Sequence, residues 1–303
     1  MASYTAQSIG LTEGAGTPRV FSQAPRELTT ERLHRIGEGI GKVVYASDHW
    51  VVKRERAPYE IVALIVLWKI LRRAERILPG RMGKKLLERP SRQIRFLRLL
   101  VQAAMAVAPK ALWFTSHIRE IWKEYHFRDA RGERLAREHL AGTAFVPEQV
   151  FFPTTRVQVH GWPGWLMVCE ATERVEATLH EKLAQLARAS RFEELERWLD
   201  RFVDLRQSGW RLGLFSVDAH LKNFGVIGDR IVLLDPGGLT NRWKDIEEKL
   251  VFEEVVSQPH IQLGLGPVLG GRPDIAARFD TRWKAIVNRA VVSHLWPEQP
   301  RAR

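Results

Sequence analysis

Four short segments hold residues whose types suit chemistry on a phosphate. In SVDAHLKNFGV, Asp218 and Asn223 stand five residues apart in a loop after a helical stretch. A carboxylate in such a loop can orient an attacking hydroxyl, and a nearby amide oxygen can bind a metal ion. In IVLLDPGG, Asp235 ends an apolar strand and runs into glycines. A carboxylate there suits Mg2+, which takes few protein oxygens and completes its shell with phosphate and water. Far upstream, IGEGIGKVVY puts Gly37, Gly39 and Gly41 between two strand-like runs. Backbone without Cβ atoms can approach a phosphate and present N–H groups to it. Lys53 in WVVKRE follows on the next strand, where alternation places it on the face of Val51. Singly, each has an ordinary alternative: a glycine hairpin, an exposed strand lysine, an aspartate cap, an aspartate turn. Their order and separation along one chain favour the joint reading.

The elements that must position these residues are readable from pattern. Arg32 to Glu55 reads as three short strands, around Leu33 to Ile36, Lys42 to Ser47 and Trp50 to Arg54, separated by the glycine cluster and by Ser47-Asp48-His49. From Pro58 to about Tyr125 the pattern is helical, with breaks at Pro79-Gly80 and Pro109. A helix over roughly Arg131 to Leu140 precedes strands at Val150 to Phe152, Arg156 to Val159 and Trp165 to Glu170. Ala177 to Gln207 is helical, two strands around Phe224 to Ile227 and Ile231 to Leu234 are joined by Gly228-Asp229, and the end of the chain is helical again. Strand-rich first and helix-rich second, this is an α+β arrangement.

With those residues in place, the chain resembles the protein kinase-like superfamily, which includes eukaryotic-type protein kinases, aminoglycoside and choline kinases, and bacterial lipopolysaccharide-core sugar kinases. The match covers about Arg32 to Asn241, interrupted by a helical insert. The resemblance implies a bilobal kinase fold: a flexible tail over 1–30, a β-rich N-lobe over 31–170 with a basic helical insert at about 57–126, and a helical C-lobe over 171–303 carrying the catalytic loop. It implies ATP and Mg2+, with Gly37, Gly39 and Gly41 covering the phosphates and Lys53 contacting the α and β phosphates. Asp218 then takes the place of the catalytic aspartate, and Asn223 and Asp235 those of the metal ligands. LMVCEATERV resembles a kinase hinge, with Cys169 at the gatekeeper place and the backbone of Glu170 to Thr172 open to adenine. GERLAREHLAGTAFVPEQV looks like the helix that supplies a carboxylate to Lys53; its register selects Glu133, with Glu138 as substitute and Glu60 as a weaker choice. His220 matches a histidine of the small-molecule kinases, although a lone histidine is more often structural, and Lys222 is placed to help neutralise phosphate.

Three departures refine the expected acceptor. Ser216 stands where the family often has histidine, Pro236 replaces the usual phenylalanine, and Leu239 to Asp245 leaves little room for a long activation segment. Because that segment forms the peptide platform of protein kinases, the reading is a kinase acting on the hydroxyl of a sugar, glycolipid or small molecule. A protein serine/threonine kinase and a catalytically silent membrane-associated scaffold are the alternatives.

Composition limits the remaining classes. The 303 residues are 45% apolar and 27% charged, enough to fill a core and too apolar for a disordered chain. The single cysteine, Cys169, cannot form an internal bridge. No secretory pattern opens the chain, and the longest apolar stretch, Ile61 to Leu71, is eleven residues broken by Lys69, too short for a hydrocarbon core of about 30 Å. A cytoplasmic protein, free or peripheral at the inner face of the membrane, is the expectation. The net charge is +12, and between Lys69 and Lys110 twelve Lys or Arg face only Glu75 and Glu88, a local +10. Such basic amphipathic helices suit an anionic membrane surface, met through residues 61–110, or a helical subdomain with a solvated basic face. No nucleic-acid recognition motif is present, and no specific nucleic acid is expected.

Overall fold

A computed structural model of the chain describes residues 19–38, 41–56, 60–61, 116–161 and 163–297. Most of the helical insert, including its basic stretch, and Gly39 therefore lie outside the described residues. The fold is mixed α+β and resolves into two compact units. One comprises Gln23–Arg128 and Pro153–Ala171; the other comprises Met1–Ser22, Asp129–Phe152 and Thr172–Arg303.

The first unit is built on strands. After the short helix α1 (Arg26–Thr30), the three expected strands form as β2 (Arg32–Glu38), β3 (Lys42–Ala46) and β4 (Trp50–Glu55). They pair antiparallel in sequence order. The sheet continues with parts of β5 (Gln149–Val159) and β6 (Trp165–Glu173), in the order β5-β2-β3-β4-β6, with β5 also pairing β6. Leu33, Val43, Tyr45, Val52, Val157 and Val159 supply its buried positions, at every second residue as strand geometry requires. β5 runs unbroken through Pro153, where two strands were expected, because a φ near −65° is compatible with extended backbone. The first thirty residues are not all tail: Leu28 is fully buried, and β1 (Arg19–Val20) pairs parallel with Val150 and Phe151 within the second unit.

The second unit is mostly helical. Helix α2 (Ser116–His139) unites two expected helices, and its last turns belong here: Leu135, Ala136 and Leu140 lie in one buried cluster with Leu183, Phe202 and Trp283. The strip Asp129–Phe152, expected with the first lobe, thus packs with the second unit. The expected helix over Ala177 to Gln207 divides into α3 (Leu179–Arg188) and α4 (Phe192–Arg211), separated where Ser190 adopts φ 55°. A left-handed residue cannot continue an α-helix. After β8 (Phe215–Ser216), a 3-10 turn at Leu221–Asn223 leads into the hairpin β9 (Phe224–Ile227) and β10 (Arg230–Leu233), closed at Gly228 with φ 58°. The two-residue strand β7 (Ala177–Thr178) adds to β9. A second 3-10 turn at Pro236–Gly238 precedes β11 (Leu239–Thr240), which pairs with β8. Helices α5 (Trp243–Val255), α6 (Pro259–Gln262), α7 (Gly266–Leu269), α8 (Pro273–Ile286) and α9 (Arg289–Leu295) complete the unit. Its centre is aromatic: Phe202 stacks on Trp283 at 5.6 Å and meets Phe224 edge-on at 4.9 Å. Among the described residues no helix is long and apolar enough to cross a membrane.

Helix α3 begins with a complete capping box: Thr178 Oγ1 accepts the Glu181 N–H at 3.2 Å, and Glu181 Oε2 accepts the Thr178 N–H at 2.9 Å. Replacing Thr178 by Ala removes one acceptor for the helix's first amides. The expected loss is about 1 kcal/mol in urea denaturation, with an unchanged slope.

Candidate functional site

In the second unit the loop after β8 and the end of the β9–β10 hairpin are tied by backbone. The hairpin register pairs Phe224 with Leu233, so its open end sets Asn223 beside Leu234. The Asn223 carbonyl accepts N–H groups from Leu234 at 2.8 Å and Asp235 at 3.4 Å. Two residues twelve positions apart in sequence are thereby brought together. Asp218 joins them: the Asn223 side-chain amide donates to the Asp218 carbonyl at 3.4 Å, and Asp218 Oδ1 accepts the His220 N–H at 3.3 Å. Asp218 and Asp235 are both exposed.

On its other side the loop is held by the DPGG run. The Val217 N–H donates to the Gly238 carbonyl at 2.9 Å, and Ser216 Oγ donates to the Asp218 carbonyl at 2.9 Å. A Cβ on Gly238 would sit 3.2 Å from both Cβ and N of Asp218. The run also meets helix α2. A Cβ on Gly132 would collide with the Pro236 carbonyl oxygen and lie 3.0 Å from Gly237 backbone, and a Cβ on Gly237 would collide with Asp129 Oδ1. Pro236 and its glycines are therefore pressed between a helix and the Asp218 loop, at spacings only glycine permits. Arg131 Nη2 and Thr240 Oγ1 both donate to Asp245 Oδ2 at 2.8 Å, fixing α2 and the segment after the run to the start of α5.

Asp129 is the helix carboxylate that faces this run. Sequence register selected Glu133 one turn later; its carboxylate lies 3.7 Å from Arg137 on the same helix, while the substitute Glu138 lies 3.8 Å from Arg134. The readable signal was Gly132, a glycine inside a helical pattern, which costs about 1 kcal/mol against Ala and so marks a close approach.

The other expected residues sit in the first unit. Val44 of β3 pairs with Gly37 on one side and Lys53 on the other, so these two lie on one row across β2, β3 and β4. Lys53 is exposed. A bulge between Arg35 and Gly37 shifts the register where the glycine segment begins. Gly37 has ordinary strand geometry and room for a Cβ, with Val44 4.0 Å away, while the Gly41 carbonyl accepts the Arg56 N–H at 2.7 Å. Glu60 is buried and takes both ends of the Arg54 guanidinium, at 2.9 and 3.1 Å. Cys169, expected at the gatekeeper place, is exposed, because the alternation that buries Leu166 turns Trp165, Met167 and Cys169 outward. Glu170 lies on the same strand in this unit, and Thr172, two residues on, falls in the other.

The donor set fits a divalent cation of the Mg2+ type. Asn223 commits its amide nitrogen to the Asp218 carbonyl, leaving its side-chain oxygen as the atom for a cation. Asp235 commits Oδ1 to the Gly237 N–H at 3.1 Å, and Oδ2 stays available. Mg2+ takes two oxygen ligands of this kind, with water and phosphate filling the shell. Among the described residues no group of three or more His, Cys, Asp or Glu converges as a metal site. His220 serves the backbone, since its Nδ1 accepts the Lys222 N–H at 3.2 Å and caps the 3-10 turn that carries Asn223.

Compared with protein-family models, curated proteins and solved structures, the chain matches none.

This geometry has two measurable consequences. Gly132→Ala forces backbone apart at Pro236 and is expected to lower stability by about 1–3 kcal/mol despite the better helix former, read as a reduced denaturation midpoint. A variant as stable as the parent would contradict the packing described. Burial holds the His220 imidazole below its usual 6.5, with Lys222 and His180 adding to this and Asp218 opposing it. The unfolded chain binds the proton first as pH falls, so the His220 contribution to stability is complete above about pH 6.5 and is lost as pH drops towards the folded value. His220→Asn, which can keep the cap, is expected to flatten the pH dependence of the melting temperature between about pH 5 and 7.

Proposed function

We propose that the protein is an ATP-dependent phosphotransferase of protein kinase-like fold, moving the γ-phosphoryl group to a hydroxyl on a sugar, glycolipid or small molecule. The observation that carries this reading is the Asn223 carbonyl bonded to the amides of Leu234 and Asp235, which gathers Asp218, Asn223 and Asp235 at one loop cluster. The run β2-β3-β4-β6, with β5 beside both β6 and β2 and with helix α2 following β4 and preceding β5 in the chain, also supports it. In this reading Asp218 accepts the acceptor's hydroxyl proton at a carboxylate oxygen while the His220 N–H, bonded to Oδ1, holds the carboxylate in place. Asn223 and Asp235 would hold Mg2+, which supplies charge neutralisation for the phosphates when bound. Gly37, Gly39 and Gly41 with Lys53 would receive the phosphates, and Glu170 to Thr172 the adenine.

The acceptor class is supported by the short segment after Asp235. Leu239 and Thr240 are bound into the ladder with Phe215 and Ser216, and α5 begins at Trp243. No residues are left over for a peptide-binding platform in this segment. The basic insert, which lies outside the described residues, is the proposed contact for an anionic membrane surface carrying a glycolipid acceptor.

Mg2+-dependent ATP turnover by the purified chain tests the reading. Asp218→Asn is expected to reduce turnover by about 10²- to 10⁴-fold with nucleotide affinity kept, since a positioned base contributes on that order. Asp235→Asn is expected to weaken Mg·ATP binding instead. Full turnover in the Asp218 variant sinks the assignment, and absence of any turnover with firm binding to anionic vesicles favours the scaffold.

A further inference from the structure

Helix α4 carries a buried cation directed at the Asp218 loop. Arg206 is 7% exposed, and its Nη2 donates to the Ser216 carbonyl at 2.9 Å. Ser216 in turn donates through Oγ to the Asp218 carbonyl, so guanidinium, Ser216 and Asp218 form one short chain of contacts. Aromatic rings enclose the cation: its central carbon lies 5.2 Å from the Phe215 ring, 5.9 Å from Trp210 and 6.0 Å from Trp283. Burial pulls its pKa down to about 10, against the carboxylates of Glu253 and Asp218, which raise it, so it stays charged at neutral pH.

The bonding is poor for a residue retained only for stability. Arg206 Nε is buried without a hydrogen-bond partner, and among the described residues no carboxylate meets the guanidinium in a two-point pair. Glu253, the buried carboxylate whose charge it feels, is bonded instead to Lys249 at 2.9 Å and Gln262 at 3.2 Å. A buried charge is costly, and apolar replacements of buried ion sets are often neutral or stabilising. The hydrogen bond that Arg206 does make goes to loop backbone two residues before Asp218.

We infer that Arg206 is a positioning residue: a buried cation that anchors the Ser216–Asp218 backbone from below and sets the direction of the Asp218 carboxylate. It acts on Ser216, which stands where the resemblance expects a histidine. The anchoring is a property of the fold; only its kinetic consequence rests on the phosphotransfer reading.

Full-length parent, Arg206→Met, Arg206→Gln and Arg206→Lys provide the test, with Mg·ATP affinity, ATP turnover and amide hydrogen exchange over 214–223 measured on each. Both neutral variants are expected to exchange faster over 214–223, to bind Mg·ATP as the parent does, and to lose turnover on the order of 100-fold, the effect of a misplaced catalytic group. Arg206→Lys is expected to restore most of the turnover and protection. Where Arg206→Met does not fold, Arg206→Gln, which is polar but lacks the charge and the reach of the guanidinium, gives the same reading. Unchanged loop exchange in a folded neutral variant overturns the inference, as does parental turnover, or a Lys variant as impaired as the neutral ones. A parent that neither binds nor turns over ATP refutes the phosphotransfer reading alone, and the exchange measurement still decides on Arg206.

Discussion

The cluster around Asp235 depends on backbone approaching backbone without side chains in the way. Helix α2 presses on the Pro236 carbonyl through Gly132, and the Asp218 loop presses on Gly238 from the opposite side. A Cβ on Gly132 would drive helix and run apart, and one on Gly238 would force the loop back by a few tenths of an ångström. Because the run is held on both sides, the Gly238 carbonyl can receive the Val217 amide and the Leu239–Thr240 ladder can form. The placement of Asp218, Asn223 and Asp235 is thus decided by contacts that involve almost no side chain. Such a site is set by local backbone geometry and is rigid for that reason.

Charge is distributed around this cluster in two layers. Asp218 and Asp235 face solvent, where their ionised forms are well hydrated and open to a cation or a reactant. Beneath them, Arg206 supplies a desolvated positive charge and Asp245 gathers Arg131 and Thr240. His220, its pKa held below the usual value by burial, caps the turn that presents Asn223. The exposed layer suits chemistry, and the lower layer keeps the loop in one conformation.

Much of the architecture was legible because it follows from period and punctuation. The β2–β3–β4 meander is written in β-branched alternation and in Ser47-Asp48-His49, and the β9–β10 hairpin in its Gly228-Asp229 turn. The twelve-residue interval from Asn223 to Asp235, filled by a two-strand hairpin, was likewise readable. Less was readable where a local rule met a tertiary one. Pro153 reads as a strand break yet lies inside β5, and Ser190 gives no sign in its type of the left-handed backbone that divides α3 from α4. Leu28 and Val20, set in a Ser/Thr/Gly-rich stretch, gave too weak a pattern to reveal α1 and β1.

The order of amino acids was enough to show which residues of chemical interest exist and how they are spaced: glycines and Lys53 on early strands, then Asp218, Asn223 and Asp235 around a late hairpin. Those are local facts, since turn type, strand alternation and short separations are encoded within a few residues. Folding was needed to choose the helix carboxylate that faces the DPGG run, because Asp129 and Glu133 lie one turn apart on α2 and the docking of Gly132 on Pro236 is the contact that distinguishes them. Folding also selected Arg206, among several arginines on α4, as the one enclosed by Phe215, Trp210 and Trp283 and bonded to the loop. Burial depends on contacts between segments far apart in sequence, and such contacts leave no period for a sequence pattern to show.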